Sequence, residues 1–189
     1  FNIMARGLFI SEKYVKENSV IDDNVDMKLI QPTIWQCQKQ YIEAYLGTQL
    51  YDDINSKVVA STLAGDDLTL VNDYIADSLL YWVVYELQVS LLFKMRNVGT
   101  STERSDFSNP VDLKQLARVE NRFKKKAEYF SERLTAYLCA NTDLYPLYLI
   151  TSESDDLLPE SAKPTTSVFL GSTAMPKCNK YLYTTNPDE

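Results

Sequence analysis

The sequence contains no histidine, the side chain most often used for proton transfer near neutral pH. Without it the chain cannot form Ser–His or Cys–His nucleophile pairs, histidine-bearing zinc sites or the Glu-x-x-His pattern of di-iron bundles. Cysteine is also scarce: Cys37, Cys139 and Cys178 are far apart and include no Cys-x-x-Cys pair. Because their number is odd and no export signal is recognisable, we expect reduced thiols, with Cys37 and Cys139 as small core residues.

Long apolar runs and glycines are few as well. The longest unbroken apolar run, residues 79–85, is far shorter than the roughly 20 residues that a membrane helix needs, so we expect no membrane span. Five glycines in 189 residues, with 45% apolar residues, are typical of a packed helical protein. The length predicts one domain with an appendage, and we place a helical domain at 1–141 and an extended C-terminal arm at 142–189.

The most hydrophobic stretch runs from Leu68 to Asn97 and predicts one long central helix. Asp66 and Asp67 precede it, and we expect them to cap its N-terminus and to suit its dipole. The first half is amphipathic, whereas the second half is apolar almost all round. Such a helix has to be covered on every side, by other helices of the chain and, for the rest, by a neighbouring subunit.

Shorter helices are predicted before the central one. Ser11 is a suitable cap for a helix over residues 12–18, and Asp22–Asn24 predict a turn and a second cap. Apolar residues then recur at three- and four-residue spacing over residues 25–46, which is the helical signal. Pro32 falls inside this run, so either a first helix ends near Ile30 or one helix kinks there.

The end of this helical run is marked by Gly47, which we expect as the C′ residue to end the helix in a left-handed turn. Thr48 then predicts a cap for a further short helix over residues 49–58.

After the central helix, residues 98–109 are polar and lack any period, which predicts a loop. Asn109 and Pro110 predict the start of a last helix over about 111–140. The two long helices should pack as an antiparallel hairpin. The last helix carries one continuous apolar stripe, formed by Leu113, Leu116, Val119, Phe123, Ala127, Phe130, Leu134, Tyr137 and Leu138.

From residue 142 onward prolines exclude long helices, and residues 151–166 form a polar, acidic linker. Residues 167–170 and 180–184 are candidate strands of a short hairpin, which is marginal alone and has to lie against something else. The predicted fold is therefore mainly α: a helical bundle built on two long antiparallel helices, with shorter N-terminal helices and an extended C-terminal tail.

The charge of the chain is unevenly distributed. The net charge of −7 argues against a general nucleic-acid binder, but residues 99–141 carry +2. The cations of the last helix lie opposite its apolar stripe, and this face is either solvated, in contact with an acidic surface of a neighbouring subunit, or turned toward DNA. The cations are Lys114, Arg118, Arg122, Lys125, Lys126 and Arg133.

Paired carboxylates are the only candidates for metal binding or general-base chemistry. Examples are the pairs at 22–23, 52–53, 66–67 and 155–156. Helix capping and solvation explain such pairs without any catalysis, and a metal-dependent hydrolase would need several of them in one pocket. We therefore expect no enzyme, and we assign no catalytic, cofactor-binding or metal-binding residue.

A pattern of helix corners resembles a family of bacteriophage virion proteins, the head–tail connector (adaptor or ring) proteins of crAss-like and related phages of Bacteroidetes. It covers about residues 8–140. The matching residues are Leu8-Phe9-Ile10-Ser11-Glu12-Lys13-Tyr14, the acidic turn at 22–24, Leu29-Ile30-x-Pro32, Tyr41-Ile42 and Leu46-Gly47-Thr48-x-Leu50-Tyr51.

This resemblance implies a structural virion protein at the head–tail junction, assembled in the host cytoplasm. Such proteins form rings, usually dodecameric, that dock under the portal, surround the DNA channel and bind tail or further ring proteins. An acidic excess would let DNA pass without sequence-specific binding. The resemblance implies no catalytic residue, no cofactor and no membrane contact. The alternatives are another helical phage structural protein (tail-completion or capsid-interior) or, less favoured, a metal-dependent enzyme.

Interface candidates are drawn from the central helix, the basic face and the tail. They are Trp82, Tyr85, Lys114, Arg118, Arg122, Lys125, Phe169 and Tyr181.

Overall fold

The computed structural model describes residues 7–96, 99–102, 113–150 and 156–159, and these are mainly helical, which confirms the predicted class. In chain order the helices are α1 (Glu12–Asn18), α2 (Met27–Cys37), α3 (Glu43–Leu46), α4 (Thr48–Val59), α5 (Gly65–Thr69), α6 (Ala76–Leu92) and α7 (Leu113–Ala140). Wide π-helical turns, Gln38–Ile42 and Leu70–Ile75, join α2 to α3 and α5 to α6 without a break, and a 3-10 turn, Pro146–Leu149, follows α7.

The N-terminal caps are partly as predicted. The side chain of Ser11 accepts a hydrogen bond from the Tyr14 amide at 3.1 Å, and α1 has the predicted bounds. The predicted turn exists, because the Val25 amide donates to the Asp22 carbonyl at 3.1 Å. The second cap was predicted too early, however: Asp26 accepts from the amide of Lys28 at 3.0 Å, since a cap must directly precede the first helical turn.

Pro32 neither ends α2 nor interrupts the run that continues to α3. Its ring is exposed, so the missing backbone donor lies on the solvent side of the helix. Gly47 ends the run as predicted, with φ +77°, a value that favours glycine. Its ψ of 157° lies outside the left-handed helical region, so the predicted left-handed turn is wrong in this detail. The predicted cap at Thr48 is wrong, because Thr48 is the first residue of α4 and its hydroxyl accepts from the Leu157 amide at 2.9 Å instead.

The central helical run differs from its prediction at both ends. It begins at Gly65 without a side-chain cap, so the predicted caps at Asp66 and Asp67 are wrong. It ends at Leu92 and not, as predicted, at Asn97, and β1 (Phe93–Arg96) follows directly. The antiparallel partner of β1 is β2 (Gly99–Thr102), so the loop predicted over residues 98–109 is wrong at 99–102. The rest of that loop lies outside the described residues.

The chain itself covers most of the apolar helix α6. Leu79, Leu80, Val83, Val84 and Leu87 are buried within one copy, and at about 100° per residue they cover an arc of about 140° around the helix. These residues therefore need no cover from a neighbouring subunit, and cover of the remaining surface by such a subunit stays a prediction. These leucines and valines are buried because α2 and α7 both pack on α6.

Helix α7 packs along α6 and the π-helical turn before it. Tyr74 stacks on Tyr137, with 3.9 Å between ring centroids, and Tyr81 stacks on Phe130 at 5.0 Å. Between these pairs the hydroxyls of Ser78 and Ser131 lie 2.7 Å apart. The seam between the helices therefore combines stacked aromatic rings with a satisfied polar pair between them.

Residues just after α7 also belong to the core. Tyr145 and Tyr148 are buried, and the Tyr145 hydroxyl donates to the Asp66 carbonyl at 2.8 Å. The predicted boundary between residues 141 and 142 stays a prediction, but the first residues beyond it pack with the bundle. Among the described helices none has the length and hydropathy needed to cross a bilayer. The candidate tail strands lie outside the described residues.

Candidate interaction surface

The outer side of α7 carries a group of exposed cations. Ala127, Ser131, Leu134 and Leu138 bury the inner side of the helix. Residues about half a turn away point to solvent. Arg118, Arg122 and Lys125 are exposed there at four- and three-residue spacing, and we call these three residues the cationic face.

Three further cations of α7 already have partners. Lys124 lies 3.8 Å from Glu128, and the Lys126 ammonium lies 5.1 Å from the centre of the Tyr81 ring. Arg133 lies 3.7 Å from Asp77, although burial raises the pKa of Asp77 more than this guanidinium lowers it. Within the part of the chain that the structure describes, the cationic face has no such ion pair or ring contact.

An exposed aromatic residue adjoins the cationic face. Tyr129 is 63% exposed and lies one turn beyond Lys125 on the same side of α7. Val119 is 45% exposed, so its predicted place in the buried stripe is wrong. Tyr129 was not predicted as a surface residue, although its spacing of four from Lys125 places it on the same exposed side of α7.

The aromatic candidates of the central helix lie in a different place. Trp82 is 4% exposed: its ring stacks on Tyr41, with centroids 3.8 Å apart, and its Nε1 donates to the Ser131 hydroxyl at 3.0 Å. Little of Trp82 is left for another chain to contact. Tyr85 is half-buried and stands edge-on to Trp82 at 6.0 Å.

A cavity of about 310 Å³ opens beside this cluster. Tyr41 forms part of its wall and donates from its hydroxyl to Glu86 at 2.6 Å. Burial first, and that hydrogen bond second, raise the pKa of Tyr41. At this volume the cavity lies at the small end of the range of ligand pockets.

The remaining interface candidates are not placed. Nothing is described of the side chain of Lys114, although its backbone lies in the first turn of α7. Phe169 and Tyr181 lie outside the described residues. The structure therefore brings together Arg118, Arg122 and Lys125, and it places Trp82 and Tyr85 elsewhere.

Two of the paired carboxylates form ion pairs with a lysine. Asp53 and Asp67 both contact the Lys57 ammonium, at 2.6 and 2.7 Å. These hydrogen bonds raise the pKa of Lys57. Among the described residues no group of three or more carboxylates or cysteines is placed to hold a metal ion.

The cysteines differ from one another. Cys37 is a free, fully buried thiol, as expected of a core residue, and burial raises its pKa. Cys139 is disulfide-bonded, so the expectation of reduced thiols is wrong at this residue.

Comparison with known proteins identifies a family to which the chain is similar. The model of a family described as a family of unknown function (DUF6712) matches residues 42–156, which is more than half of the chain. No curated protein and no solved structure matches the chain.

Proposed function

The chain belongs to this family of unknown function, DUF6712, and we propose that it is a structural virion protein, one subunit of a bacteriophage head–tail connector ring. In this role it docks under the portal, surrounds the DNA channel and joins the capsid to the tail. Its partners are identical copies, the portal protein and tail or further ring proteins. It needs no catalytic residue and no cofactor.

The finer architecture is part of the proposal. We take α6 and α7 as the antiparallel pair on which the bundle is built, with the shorter helices packed beside it. The contacts that support this run in opposite order along the chain: Tyr74 meets Tyr137, whereas Tyr81 meets Phe130. Residues 142–189 then form the arm, whose hairpin at 167–184 meets a neighbouring subunit.

The observation that carries the proposal is the cationic face. Three exposed cations without a described partner lie next to an exposed tyrosine, in a chain whose net charge is −7. Arginine and tyrosine are enriched where interfaces are buried. Because the rest of the chain is acidic, an identical copy offers a surface of opposite sign. A ring is the closed form that such a contact between two different faces produces.

A DNA-facing role of the same residues is weaker on charge grounds. Affinity for DNA rises with the number of phosphates that a protein neutralises. Three cations on one helix neutralise few phosphates, and the acidic surface around them repels the duplex. We therefore assign the cationic face to contact between subunits, and DNA passes through the channel without being held there.

The proposal is tested by measuring the oligomer in solution and reversing charges. Native mass spectrometry of the intact chain should give one large closed oligomer. The double variant Arg118→Glu/Arg122→Glu should weaken assembly by more than about tenfold, because like charges placed opposite each other across an interface cost several kcal/mol. The matched control is Lys13→Glu/Lys28→Glu, which reverses two exposed charges on α1 and α2 and should leave the oligomer intact.

The outcomes separate the alternatives. A reconstruction of the virion should place the chain as a ring between portal and tail. A chain that stays monomeric and is found inside the capsid or at the tail tip would replace the proposal with another structural role. An oligomer that is equally stable in both double variants would show that the cationic face is a solvated surface.

A further inference from the structure

The corner between α3 and α4 holds a short segment from the far end of the described chain. Residues 156–159, which we call the strap, lie across Gly47, Thr48 and Gln49. The Thr48 amide donates to the Leu157 carbonyl at 3.1 Å, and the Leu157 amide donates to the Thr48 hydroxyl at 2.9 Å. The Gln49 side chain donates to Asp156 at 2.7 Å.

The corner is shaped for this segment. Gly47 leaves room for the buried Pro159, since a Cβ at Gly47 would come within 2.9 Å of its ring and 3.1 Å of the Leu157 carbonyl. The Thr48 amide belongs to the first turn of α4, where backbone donors have no partner inside the helix. The corner therefore binds an extended peptide mainly through its backbone and through one seated proline.

The strap leaves its own leucines uncovered. Leu157 and Leu158 are 48% and 41% exposed, and Leu144 and Ile150, earlier in the same C-terminal region, are exposed as well. Leu157 and Leu158 are adjacent in the strap, so they offer a small apolar surface that another protein can cover. The corner thus holds the backbone of the strap in place. The apolar side chains of the strap remain accessible to another protein.

We propose that in the assembled ring the strap of one copy docks on the Gly47–Gln49 corner of the next copy. This rests on the proposed function, and it names the segment that links the subunits. The hydrogen bonds between strap and corner are the same whether both belong to one chain or to two identical chains. Exchanging the strap between copies therefore costs little free energy apart from opening the contact. Leu157 and Leu158 then lie between two subunits and become covered.

The connection to the strap sets the geometry of this exchange. Five residues separate Ile150 from Asp156. Fully extended, such a connection spans roughly 20 Å. Only a copy that packs directly against the end of α7 can therefore receive the strap, as the adjacent subunit of a closed ring does.

Mixed isotope labelling of the full chain tests this proposal. A photoreactive amino acid replaces the exposed Leu158, and unlabelled and ¹⁵N-labelled chains are assembled together and illuminated. Mass spectrometry of the cross-linked peptides should map the links to residues 47–49. Some links should join the strap of an unlabelled (light) chain to the corner of a ¹⁵N-labelled (heavy) chain. Their share should be the one expected if light and heavy chains take neighbouring positions at random.

Matched variants show whether the docked strap supports assembly. Thr48→Val keeps the shape of the side chain but removes the acceptor for the Leu157 amide, and it should lower both the yield of mixed links and the stability of the oligomer. Thr62→Val, an exposed threonine on the loop after α4, should change neither.

Each result decides the question. An oligomer with only light–light and heavy–heavy links means that every strap stays on its own chain, which overturns the exchange but leaves the ring. Links to residues away from the corner also overturn it. A chain that never assembles overturns both the exchange and the proposed ring.

Discussion

Two buried glutamines show how differently one side chain can be used. Gln38 is fully buried: its Oε1 accepts from the Phe9 amide at 2.9 Å, and its Nε2 donates to the Gly7 carbonyl at 3.0 Å. It thereby ties the N-terminal segment to the π-helical turn after α2. Both amide atoms of Gln88 are also buried, but no described residue bonds to either of them.

Replacing each glutamine by leucine should therefore shift stability in opposite directions. Gln38→Leu should lower the free energy of unfolding by about 2–3 kcal/mol, because an unpaired buried polar group costs about 1–3 kcal/mol. Gln88→Leu should raise it by up to about 1 kcal/mol, because an amide without partners is removed. Urea unfolding followed by circular dichroism measures both. Equal losses in the two variants would contradict this account.

The thiol of Cys37 should be chemically silent in the folded chain. It is fully buried, and burial, helped by the nearby charge of Glu86, raises its pKa. Only the thiolate reacts with alkylating agents. Iodoacetamide should thus leave Cys37 unmodified at pH 8 in native protein and modify it after denaturation, as peptide mass spectrometry can follow. Modification of native protein as fast as of a free thiol would be inconsistent with this burial.

At the scale of elements, the cap of α2 is a direct test of the described boundary. Asp26→Ala removes the acceptor for the Lys28 amide and should lower the free energy of unfolding by about 1 kcal/mol. Asp23→Ala is the matched control, because Asp23 contributes only its carbonyl, to Lys16 at 2.9 Å, and alanine keeps it. If Asp23→Ala is the more damaging variant in thermal unfolding, the helix begins earlier than described.

The sequence predicted which segments are helical. It predicted where a helix begins or ends only where a residue caps the helix with its side chain or adopts a positive φ. Ser11 and Gly47 are such residues, and both were predicted. The central run lacks such signals: no side chain caps its start at Gly65, and it passes straight into β1 at Phe93. Four residues such as Phe93–Arg96 are too few for any periodicity to separate strand from helix.

The wide π-helical turns were not predictable for a related reason. Each adds a residue to the helical repeat, which shifts all later side chains around the axis. Val119 shows a similar limit of pattern reading, because its spacing fits the apolar stripe although no neighbouring element covers it. Periodicity reports which side of a helix is apolar, whereas exposure depends on how far the neighbouring elements extend.

At the scale of the whole molecule, the sequence could not show whether an apolar helix surface is buried within one chain or against another copy. The apolar surface of α6 pointed to an oligomer, yet Trp82 and most of its neighbours are buried within one chain. The cationic face was predictable, since exposed cations opposite a buried stripe need only helical geometry. The strap was not, because it joins residues more than a hundred positions apart through backbone atoms, which leave no sequence pattern.

Buried tyrosines should set the alkaline limit of the fold. Burial raises the pKa of Tyr14, Tyr41, Tyr51 and Tyr145 above the ordinary value of 10.0. Above pH 10 the unfolded chain releases these protons and the folded chain retains them, so stability is full below that pH and falls as pH rises. The urea midpoint should decline above pH 10, with the tyrosinate absorbance at 295 nm appearing together with the loss of helix.

A tyrosine-to-phenylalanine pair isolates this effect from other groups that titrate at high pH. Tyr145→Phe should lose about 1 kcal/mol near pH 7, where the hydroxyl bonds the Asp66 carbonyl. That penalty should shrink above pH 10, because phenylalanine has no proton to release on unfolding. Tyr129→Phe, at an exposed position, should follow the parent chain at every pH. A Tyr145→Phe penalty that stays constant from pH 7 to pH 11 would mean that this phenol titrates as in the unfolded chain.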